Sequence, residues 1–356
     1  VAVDESKTKS PRNLGDPKWA FKDLTLLFYC REMTELAKEV AANSEGRVVL
    51  GDISWKRFND SFPNLKIDKA EQLKYANCAF LASLHDPSVI FEQLALIYAL
   101  PKYFVKSLKV IVPYFSTGTM ERVQEYGEVA TAKTLARMLS STPMCAKGPP
   151  QISVLDIHTL QNQFYFGDDV LVRLMTASDI LINVLRTLSD FDKVSIAFPD
   201  EGAWKRFHDN FKAFPLVICH KVRDGDARIV KVKEGDCSGM CPWVSRFTGR
   251  HVVIVDDLVQ SGGTMIEAAK SIHKLGNSDR ESLSGAARVS AFATHGIFPK
   301  EAWKKFLHEP KTGKFEGEFA NFWVTNSHPT TQAVRDRPPF KVLSIAPVVH
   351  EVIVET

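Results

Sequence analysis

Residues 252–264 read Val-Val-Ile-Val-Asp-Asp-Leu-Val-Gln-Ser-Gly-Gly-Thr, and this stretch determines the predicted fold. The four β-branched apolar residues at its start are typical of a strand buried on both faces of a parallel sheet. Two adjacent carboxylates, Asp256 and Asp257, are predicted to end that strand. Apolar residues then recur at helical spacing from Met265 to Leu275, and Gly276 is predicted to close the helix.

The turn between this strand and this helix carries two glycines. Glycines at such a turn let backbone N–H groups point inward at the positive end of the helix, which makes a cradle for a phosphate. Carboxylates cannot bind phosphate, but they can accept hydrogen bonds from two neighbouring hydroxyls. The implied ligand is a sugar phosphate, held by Asp256, Asp257, Ser261, Gly262, Gly263 and Thr264. The alternative, a tight glycine turn with solvated acids, is less favoured because strand, acid pair, glycines and helix occur together.

Length and composition limit the classes of protein to which the chain can belong. At 356 residues, with 45% hydrophobic and 24% charged residues, the chain can form two globular domains of ordinary size. A formal net charge of +3 is too small to favour nucleic acid as a partner. The most apolar helix candidate, residues 89–100, contains Glu92 and Gln93 and is followed by Pro101. It therefore predicts a core helix, and no membrane partner is expected.

Six scattered cysteines favour reduced thiols in an intracellular, soluble protein over a disulfide framework. Cys237 and Cys241 could suggest a metal, but without a second ligand pair free thiols in a loop are the better interpretation. The polar start of the chain has no apolar repeat, so residues 1–18 are interpreted as a disordered leader.

From Leu24 onward, short apolar runs alternate with amphipathic segments, which predicts βα units and an α/β fold with parallel sheets. Two domains are expected, residues 19–158 and 159–339, with residues 340–356 returning to the first. Residues 223–249 are charged and aperiodic and are interpreted as a mobile flap. A weak internal echo links residues 110–120 to residues 253–265, because in both an apolar run leads to a Ser/Thr/Gly turn and a Met.

Ligands of parallel sheets bind at the carboxyl ends of the strands, so the residues that follow each apolar run are site candidates. These residues are Asp156, His158, Asp200, Lys221, Arg223, Asp256 and Asp257. Taken singly, His158 fits a hydrogen-bonded core histidine, Asp200 a helix cap, and Lys221 with Arg223 a solvated loop pair. Taken together, they suit phosphoryl-type transfer, which needs a metal to bridge phosphate oxygens and cations to neutralise charge.

The stretch at residues 252–264 resembles the ribose-phosphate loop shared by type I phosphoribosyltransferases and phosphoribosyl pyrophosphate synthetases. The wider chain resembles the synthetases. The motifs that carry this resemblance stand in the same order as in that family: Asp156-Ile157-His158, Pro199-Asp200, Lys221-Val222-Arg223, the ribose-phosphate loop, residues 324–327 (Val-Thr-Asn-Ser) and residues 342–347 (Val-Leu-Ser-Ile-Ala-Pro). The resemblance implies two domains of the type I phosphoribosyltransferase-like fold.

The resemblance also implies roles. His158 and Asp200 are expected to bind Mg²⁺, and Lys221 and Arg223 to stabilise the transition state from the flap. The ribose 5-phosphate site would comprise Asp256, Asp257, Gln260, Ser261, Gly262, Gly263 and Thr264. The ATP site would comprise Phe58, Asp60, Arg122 and His158. The reaction implied is transfer of the diphosphoryl group of ATP to ribose 5-phosphate, in a homo-oligomer located in a plastid or mitochondrion, or alternatively in the cytoplasm.

Three departures from the widespread class I pattern make the chain similar to the plant-type class II synthetases. Thr119-Met120 stands where class I members carry an Arg-Gln pair for ATP, residues 58–62 replace an acidic nucleotide segment, and Gln260 replaces an acid. These changes imply that several nucleoside triphosphates serve as donors. Two other functions remain possible on the sequence: a phosphoribosyltransferase of nucleobase salvage, and a non-catalytic regulatory subunit associated with a synthetase.

Overall fold

The computed structural model describes residues 24–224, 227–233, 249–274, 285–307 and 319–355, and for residues 220–224, 227–233 and 274 it describes the backbone alone. The predicted leader, Cys237, Cys241, Gly276 and most of the predicted flap lie outside this part of the chain.

The described chain alternates strands and helices, as predicted. The strands are β1 (Thr25–Tyr29), β2 (Val48–Leu50), β3 (Ile53–Arg57), β4 (Pro63–Ile67), β5 (Asn77–Leu81), β6 (Ser107–Val112), β7 (Gln151–Leu155), β8 (Leu171–Met175), β9 (Val194–Phe198), β10 (Leu216–Asp224), β11 (Ala227–Lys233), β12 (His251–Val259), β13 (Arg288–Gly296), β14 (Phe322–Thr325) and β15 (Phe340–Leu343). The α-helices are α1 (Thr34–Ala42), α2 (Pro87–Ala99), α3 (Thr131–Ser140), α4 (Ser178–Arg186), α5 (Glu201–Phe207), α6 (Gly263–Lys274) and α7 (Ala346–Val354).

Two sheets organise the molecule. The first has the strand order β2-β1-β5-β6-β7-β8 and is entirely parallel. The second has the order β11-β10-β9-β12-β13-β14-β15 and is parallel except for the β10–β11 pair. The strand order reverses between β1 and β5 in the first sheet and between β9 and β12 in the second. Such switch points open a crevice at the carboxyl ends of the strands.

A shared hydrophobic core joins the sheets. Side chains of α1, α4, α5 and α7 pack between one face of the first sheet and one face of the second, so a single buried cluster runs through both. The outer face of the first sheet packs against α2 and α3, and the outer face of the second packs against α6. Because both sheets are covered on both faces, their strands are apolar along their length, as the sequence predicted.

The two-domain α/β fold is therefore confirmed, but its boundaries differ from those predicted. Strand β8 pairs with β7, so the first sheet continues past the predicted boundary at residue 158. Strand β15 pairs with β14 in the second sheet, so it does not return to the first domain. Helix α7 and Glu355 do: Lys109 of β6 donates hydrogen bonds to the carbonyls of Val352 and Ile353 at 2.8 and 3.3 Å, and Arg173 of β8 pairs with Glu355.

Two local predictions also need correction, and one hairpin was not predicted. Strand β12 continues to Val259, so Asp256 and Asp257 lie within it and do not end it. Part of the predicted flap is regular, because β10 and β11 form an antiparallel hairpin that pairs Lys221 with Val230 and Arg223 with Arg228. The β3–β4 hairpin was missed by the sequence reading altogether.

Candidate active site at the carboxyl edge of the second sheet

A cavity of about 740 Å³ lies at the β9/β12 switch point. The second sheet contributes the ends of β9 and β12 and the starts of α5 and α6, and the first domain contributes the segments after β6 and β7. The lining residues are Thr119, Glu121, Arg122, His158, Thr159, Asp200, Glu201, Gly202, Arg206 and residues 256–265. Most of the residues predicted from the sequence are thus brought together in one place.

Asp257 is the most firmly held carboxylate of the cavity. It is 1% exposed, and its two oxygens face different partners: Oδ2 lies 2.7 Å from Nδ1 of His158 and Oδ1 lies 2.5 Å from Nη1 of Arg206. Burial by itself raises the pKa of Asp257, but the hydrogen bond from His158 and the charge of Arg206 outweigh it and hold that pKa well below its usual range. Asp257 therefore carries a firm negative charge at neutral pH.

Asp256 behaves differently although it is the next residue. Burial, together with the negative charges of Asp257 and Asp200, raises the pKa of Asp256 well above its usual range. Its Oδ1 accepts a hydrogen bond from the backbone N–H of Asp257 at 2.9 Å. The acid pair therefore has one ionised member and one that retains a proton more readily, so it can both accept and donate hydrogen bonds to a ligand.

The glycine turn lies beside the acid pair and leads directly into α6. Gly262 has a φ of +79°, and a Cβ at this position would lie 2.1 Å from the ring of Phe306. Only glycine fits, since the ring is buried and the backbone conformation is left-handed. The first N–H groups of α6 have no intrahelical acceptor and carry the positive end of the helix dipole, which suits a phosphate.

Asp200 follows β9 and starts α5. Its Oδ1 accepts a hydrogen bond from the backbone N–H of Ala203 at 3.0 Å, so the helix-cap interpretation is correct, and Asp200 also lines the cavity. The same short helix carries Arg206, which the sequence reasoning missed. The pattern Pro199-Asp200-Glu201 drew attention to the start of the helix, whereas Arg206 reaches Asp257 only because α5 packs beside β12.

His158 reaches the cavity from the first domain, three residues after the end of β7. Its ring is about one third exposed and joins Asp257 across the two domains. Asp156, which the sequence also placed at this edge, does not line this cavity. It is 5% exposed, has a φ of +37°, and accepts a hydrogen bond from Thr294 of β13 at 2.6 Å.

The side chains that line the cavity fit the expected Mg²⁺. Among the described residues, no group of three or more His, Cys, Asp or Glu side chains is arranged to hold a metal ion. Mg²⁺ does not need such a cage, because it keeps several waters and binds through one or two carboxylates and substrate phosphates. Nδ1 of His158 is held by Asp257 at 2.7 Å, so the nitrogen that would face a metal is Nε2, as in metal-binding imidazoles whose other nitrogen is held by a carboxylate. Together with Asp200, His158 fits an ion shared with phosphates.

Four predicted residues are not placed in the cavity. Phe58 and Asp60 lie on the turn of the β3–β4 hairpin, where Phe58 is 56% exposed and Asp60 Oδ1 accepts from the backbone N–H of Phe62 at 3.1 Å. Lys221 and Arg223 lie on β10, and their side chains are outside the described part of the chain. The roles predicted for these four residues stay predictions.

Comparison with known proteins decides the family. Residues 25–142 match the model described as the N-terminal domain of ribose phosphate pyrophosphokinase. The chain is 50% identical to ribose-phosphate pyrophosphokinase 3, chloroplastic, of Oryza sativa subsp. japonica, over 90% of this chain and 74% of that protein. The chain belongs to the ribose-phosphate pyrophosphokinase family. It is also 49% identical to ribose-phosphate pyrophosphokinase 3, mitochondrial, of Spinacia oleracea, over 92% of this chain and 75% of that protein.

Membership of this family agrees with the resemblance to plant-type synthetases. The fold agrees as well: the crystal structure of phosphoribosylpyrophosphate synthetase from Mycobacterium smegmatis superposes with a TM-score of 0.71, covering 93% of this chain and 97% of that one at 24% identity. At that identity the likeness shows the fold alone. No helix in the described ranges is long and apolar enough to cross a bilayer.

Proposed function

We propose that the protein is a ribose-phosphate diphosphokinase, which transfers the diphosphoryl group of ATP to the 1-hydroxyl of ribose 5-phosphate and yields 5-phosphoribosyl 1-diphosphate and AMP. The observation that carries this proposal is one cavity in which a firmly ionised Asp257 lies beside a glycine turn at the N-terminus of α6. Family membership supports the reaction itself.

Ribose 5-phosphate would bind across the acid pair and the turn. Its phosphate would accept hydrogen bonds at Ser261, Gly262, Gly263 and Thr264, with Gln260 at the mouth. Its ring hydroxyls would donate to Asp257 and share a proton with Asp256, which suits the different pKa values of the two carboxyls. This places the sugar's 1-hydroxyl toward His158, Asp200 and the first domain.

In the reaction, the anomeric oxygen forms a bond to the β-phosphorus of ATP, and the bond from that phosphorus to the α-phosphate oxygen breaks. The hydroxyl proton is lost and AMP leaves with the electron pair of the broken bond. Such transfers depend mostly on positioning and on stabilising charge. Arg122 lines the cavity on the side of the first domain and would contact the triphosphate, and Lys221 and Arg223 would neutralise charge in the transition state.

His158 and Asp200 are the residues that would hold Mg²⁺, which would supply positive charge to neutralise the charge that develops on the transferred phosphates. ATP is the proposed donor, and other nucleoside triphosphates are proposed to be accepted because Thr119 and Met120 offer few directional contacts to a base. Phe58 and Asp60 are retained as ATP-binding candidates; an unchanged KM for ATP in Asp60→Asn would remove Asp60.

We further propose a homo-oligomer, which light scattering during gel filtration would test. Relatives named chloroplastic and mitochondrial support a plastid or mitochondrial location, with the cytoplasm as the alternative. Immunodetection in purified organelles and in the cytosolic fraction would decide between them.

The reaction is tested by incubating the protein with ribose 5-phosphate, Mg²⁺ and ATP and identifying the nucleotide product. AMP together with 5-phosphoribosyl 1-diphosphate is expected; ADP would indicate a simple kinase, and a requirement for a nucleobase would indicate a phosphoribosyltransferase. Lys221→Ala should lower kcat by about two to four orders of magnitude with little change in the KM for ribose 5-phosphate. Lys212→Ala, at an exposed lysine paired with Asp209, is the matched control and should be silent.

A further inference from the structure

The cavity is divided between the two domains, so its geometry depends on how they are held together. Arg122 and His158 come from the first domain, and Asp200, Asp256 and Asp257 come from the second. One contact that crosses this division is the 2.7 Å hydrogen bond from His158 to Asp257. Groups that hold the segment carrying His158 against the second sheet would therefore set the distance across the active site.

A buried polar cluster lies at this boundary, and we name it the seam cluster: Asp156, Thr294, His295 and Ser327. Each of its members is at most 5% exposed. The hydroxyl of Thr294 donates to Oδ2 of Asp156 at 2.6 Å, and the same oxygen accepts from the backbone N–H of Ala177 at 3.0 Å. One carboxylate oxygen of the first domain is thus shared between a first-domain amide and a second-sheet hydroxyl.

His295 makes a second link across the same boundary. Its Nε2 lies 3.2 Å from the carbonyl oxygen of Leu155, the last residue of β7, and its Nδ1 lies 2.9 Å from the hydroxyl of Ser327. A carbonyl oxygen can only accept, so Nε2 carries the hydrogen and Nδ1 faces the hydroxyl of Ser327, which also lies 3.0 Å from the carbonyl oxygen of Thr294. Thr294 and His295 therefore hold consecutive residues of the first domain, Leu155 and Asp156.

The seam cluster acts at a point where the backbone is constrained. Asp156 has a φ of +37°, a conformation that a residue other than glycine keeps only when its surroundings enforce it. His158 follows two residues later. On the other side, His295 of β13 pairs with Leu258 of β12, the residue after Asp257. The links therefore lie next to both partners of the His158–Asp257 hydrogen bond.

We infer that the seam cluster positions His158 against Asp257 and so sets the geometry of the divided active site. Thr294 and His295 are positioning residues and touch no substrate. The inference rests on the proposed function, because its consequence is a loss of turnover. A displacement of about 1 Å at reacting groups can cost on the order of a hundredfold in rate. A small change in the cluster should therefore lower kcat even when the protein stays folded.

The test compares Thr294→Val, which removes the hydroxyl at nearly constant shape, with Thr294→Ser, which keeps it. The matched control is Thr142→Val, because Thr142 is 2% exposed and its hydroxyl donates to the carbonyl of Leu139 at 2.6 Å, away from the seam cluster. For each variant, kcat, the KM values for ribose 5-phosphate and ATP, and the thermal unfolding midpoint are measured on the full chain.

Thr294→Val is expected to lower kcat by about ten- to a hundredfold with KM values within about threefold of wild type, and Thr294→Ser to restore most of kcat. Thr142→Val should lower the midpoint comparably and leave kcat unchanged. Equal kcat in Thr294→Val and Thr142→Val would overturn the inference. If Thr294→Val does not fold, Ser327→Ala takes its place, and an unchanged kcat there is equally decisive. Failure of the proposed function would be recognised separately, since the wild type would form no AMP.

Discussion

The two sheets share a topology, but the turns at their switch points differ. One turn is filled by a side chain of the protein, and the other opens into a cavity. In the first sheet, β5 leads into α2 through residues 82–86, and in the second β12 leads into α6 through residues 260–262. The first turn is filled by the protein itself. Gln93 of α2 is fully buried, its Oε1 accepts from the backbone N–H of Ser83 at 2.8 Å, and its Nε2 donates to the carbonyl of Ser83 at 2.8 Å.

The second turn opens into the 740 Å³ cavity with Asp257 ionised beside it. In the proposed function, a strand-to-helix turn at a switch point becomes a ligand site when the chain's own side chains leave its polar groups available. The comparison also corrects the internal echo seen in the sequence. Residues 110–120 begin in β6, whereas the topological counterpart of β12 is β5, so the echo joins strands that are not equivalent.

The largest effect is expected from a side chain that fills the turn between β12 and α6, as Gln93 fills the turn between β5 and α2. Gly262→Ala would place a methyl group against the buried ring of Phe306 in a left-handed conformation, which must displace the phosphate cradle. The KM for ribose 5-phosphate should rise on the order of a hundredfold or more. Steady-state kinetics measure it, and Gly46→Ala is the control, since Gly46 has a φ of +81° with nothing within 4 Å. Similar kinetics in both variants would refute the cradle.

The next effect concerns the charge beside that turn. Asp257→Asn leaves one acceptor oxygen where Arg206, His158 and the sugar each need one, and a hydrogen bond to a charged group contributes about 1.5–3 kcal/mol. Affinity for ribose 5-phosphate should fall roughly ten- to a hundredfold and affinity for ATP much less, as calorimetric titration would show. Asp256→Asn should cost less, because the raised pKa of Asp256 already favours its neutral form. Equal losses for both ligands would contradict the assignment.

A third variant probes the filled turn. Gln93→Leu leaves the N–H of Ser83 buried without its partner, at a cost of about 1–3 kcal/mol of unfolding free energy, while the C=O of Ser83 keeps Nδ1 of His85 at 3.3 Å. Turnover should persist, because this turn binds no substrate in the proposed function. Urea unfolding measures the loss, and Gln72→Leu on the exposed surface should change stability by no more than about 0.5 kcal/mol. If Gln93→Leu abolished substrate binding but not folding, the first turn would have a function of its own.

The smallest effect is expected from protonation of two buried imidazoles, those of His295 and His328. Burial lowers the pKa values of His295 and His328 to about 4, so both stay neutral in the folded protein. The unfolded chain takes up protons below about pH 6.5. The free energy of unfolding is therefore highest above that pH and falls as the pH drops toward about 4. At pH 6 each of the two histidines lowers it by about 1 kcal/mol.

His328→Asn tests this dependence, because it removes one titrating group and keeps an acceptor for the backbone N–H of Thr330. The slope of unfolding free energy against pH between about 4 and 6.5 should become shallower than in the wild type. An identical slope would mean that His328 has the same pKa in the folded and the unfolded protein and contributes nothing to this dependence.

Much of the carboxyl edge of the second sheet was predictable from local sequence. Four β-branched residues, an acid pair and a glycine turn lie within thirteen positions, so periodicity and turn chemistry were enough to predict β12, the turn at Gly262 and α6. His158 and Asp200 were found by one further rule, that parallel strands end at a common edge. These features were predictable because each depends on neighbours along the chain or on strand direction alone.

The tertiary structure alone decided the features that depend on distant neighbours. Gln93 reads in the sequence as a polar interruption of a core helix, and only packing shows that it fills the first turn. Arg206 became part of the site because α5 lies beside β12. Strands β8 and β15 pair at the edges of their sheets, and no local pattern predicts such pairing. Asp156 accepts a hydrogen bond from Thr294 and does not line the cavity. In each case the partner lies far away in sequence, and its position is set by the packing of the two sheets around their shared core.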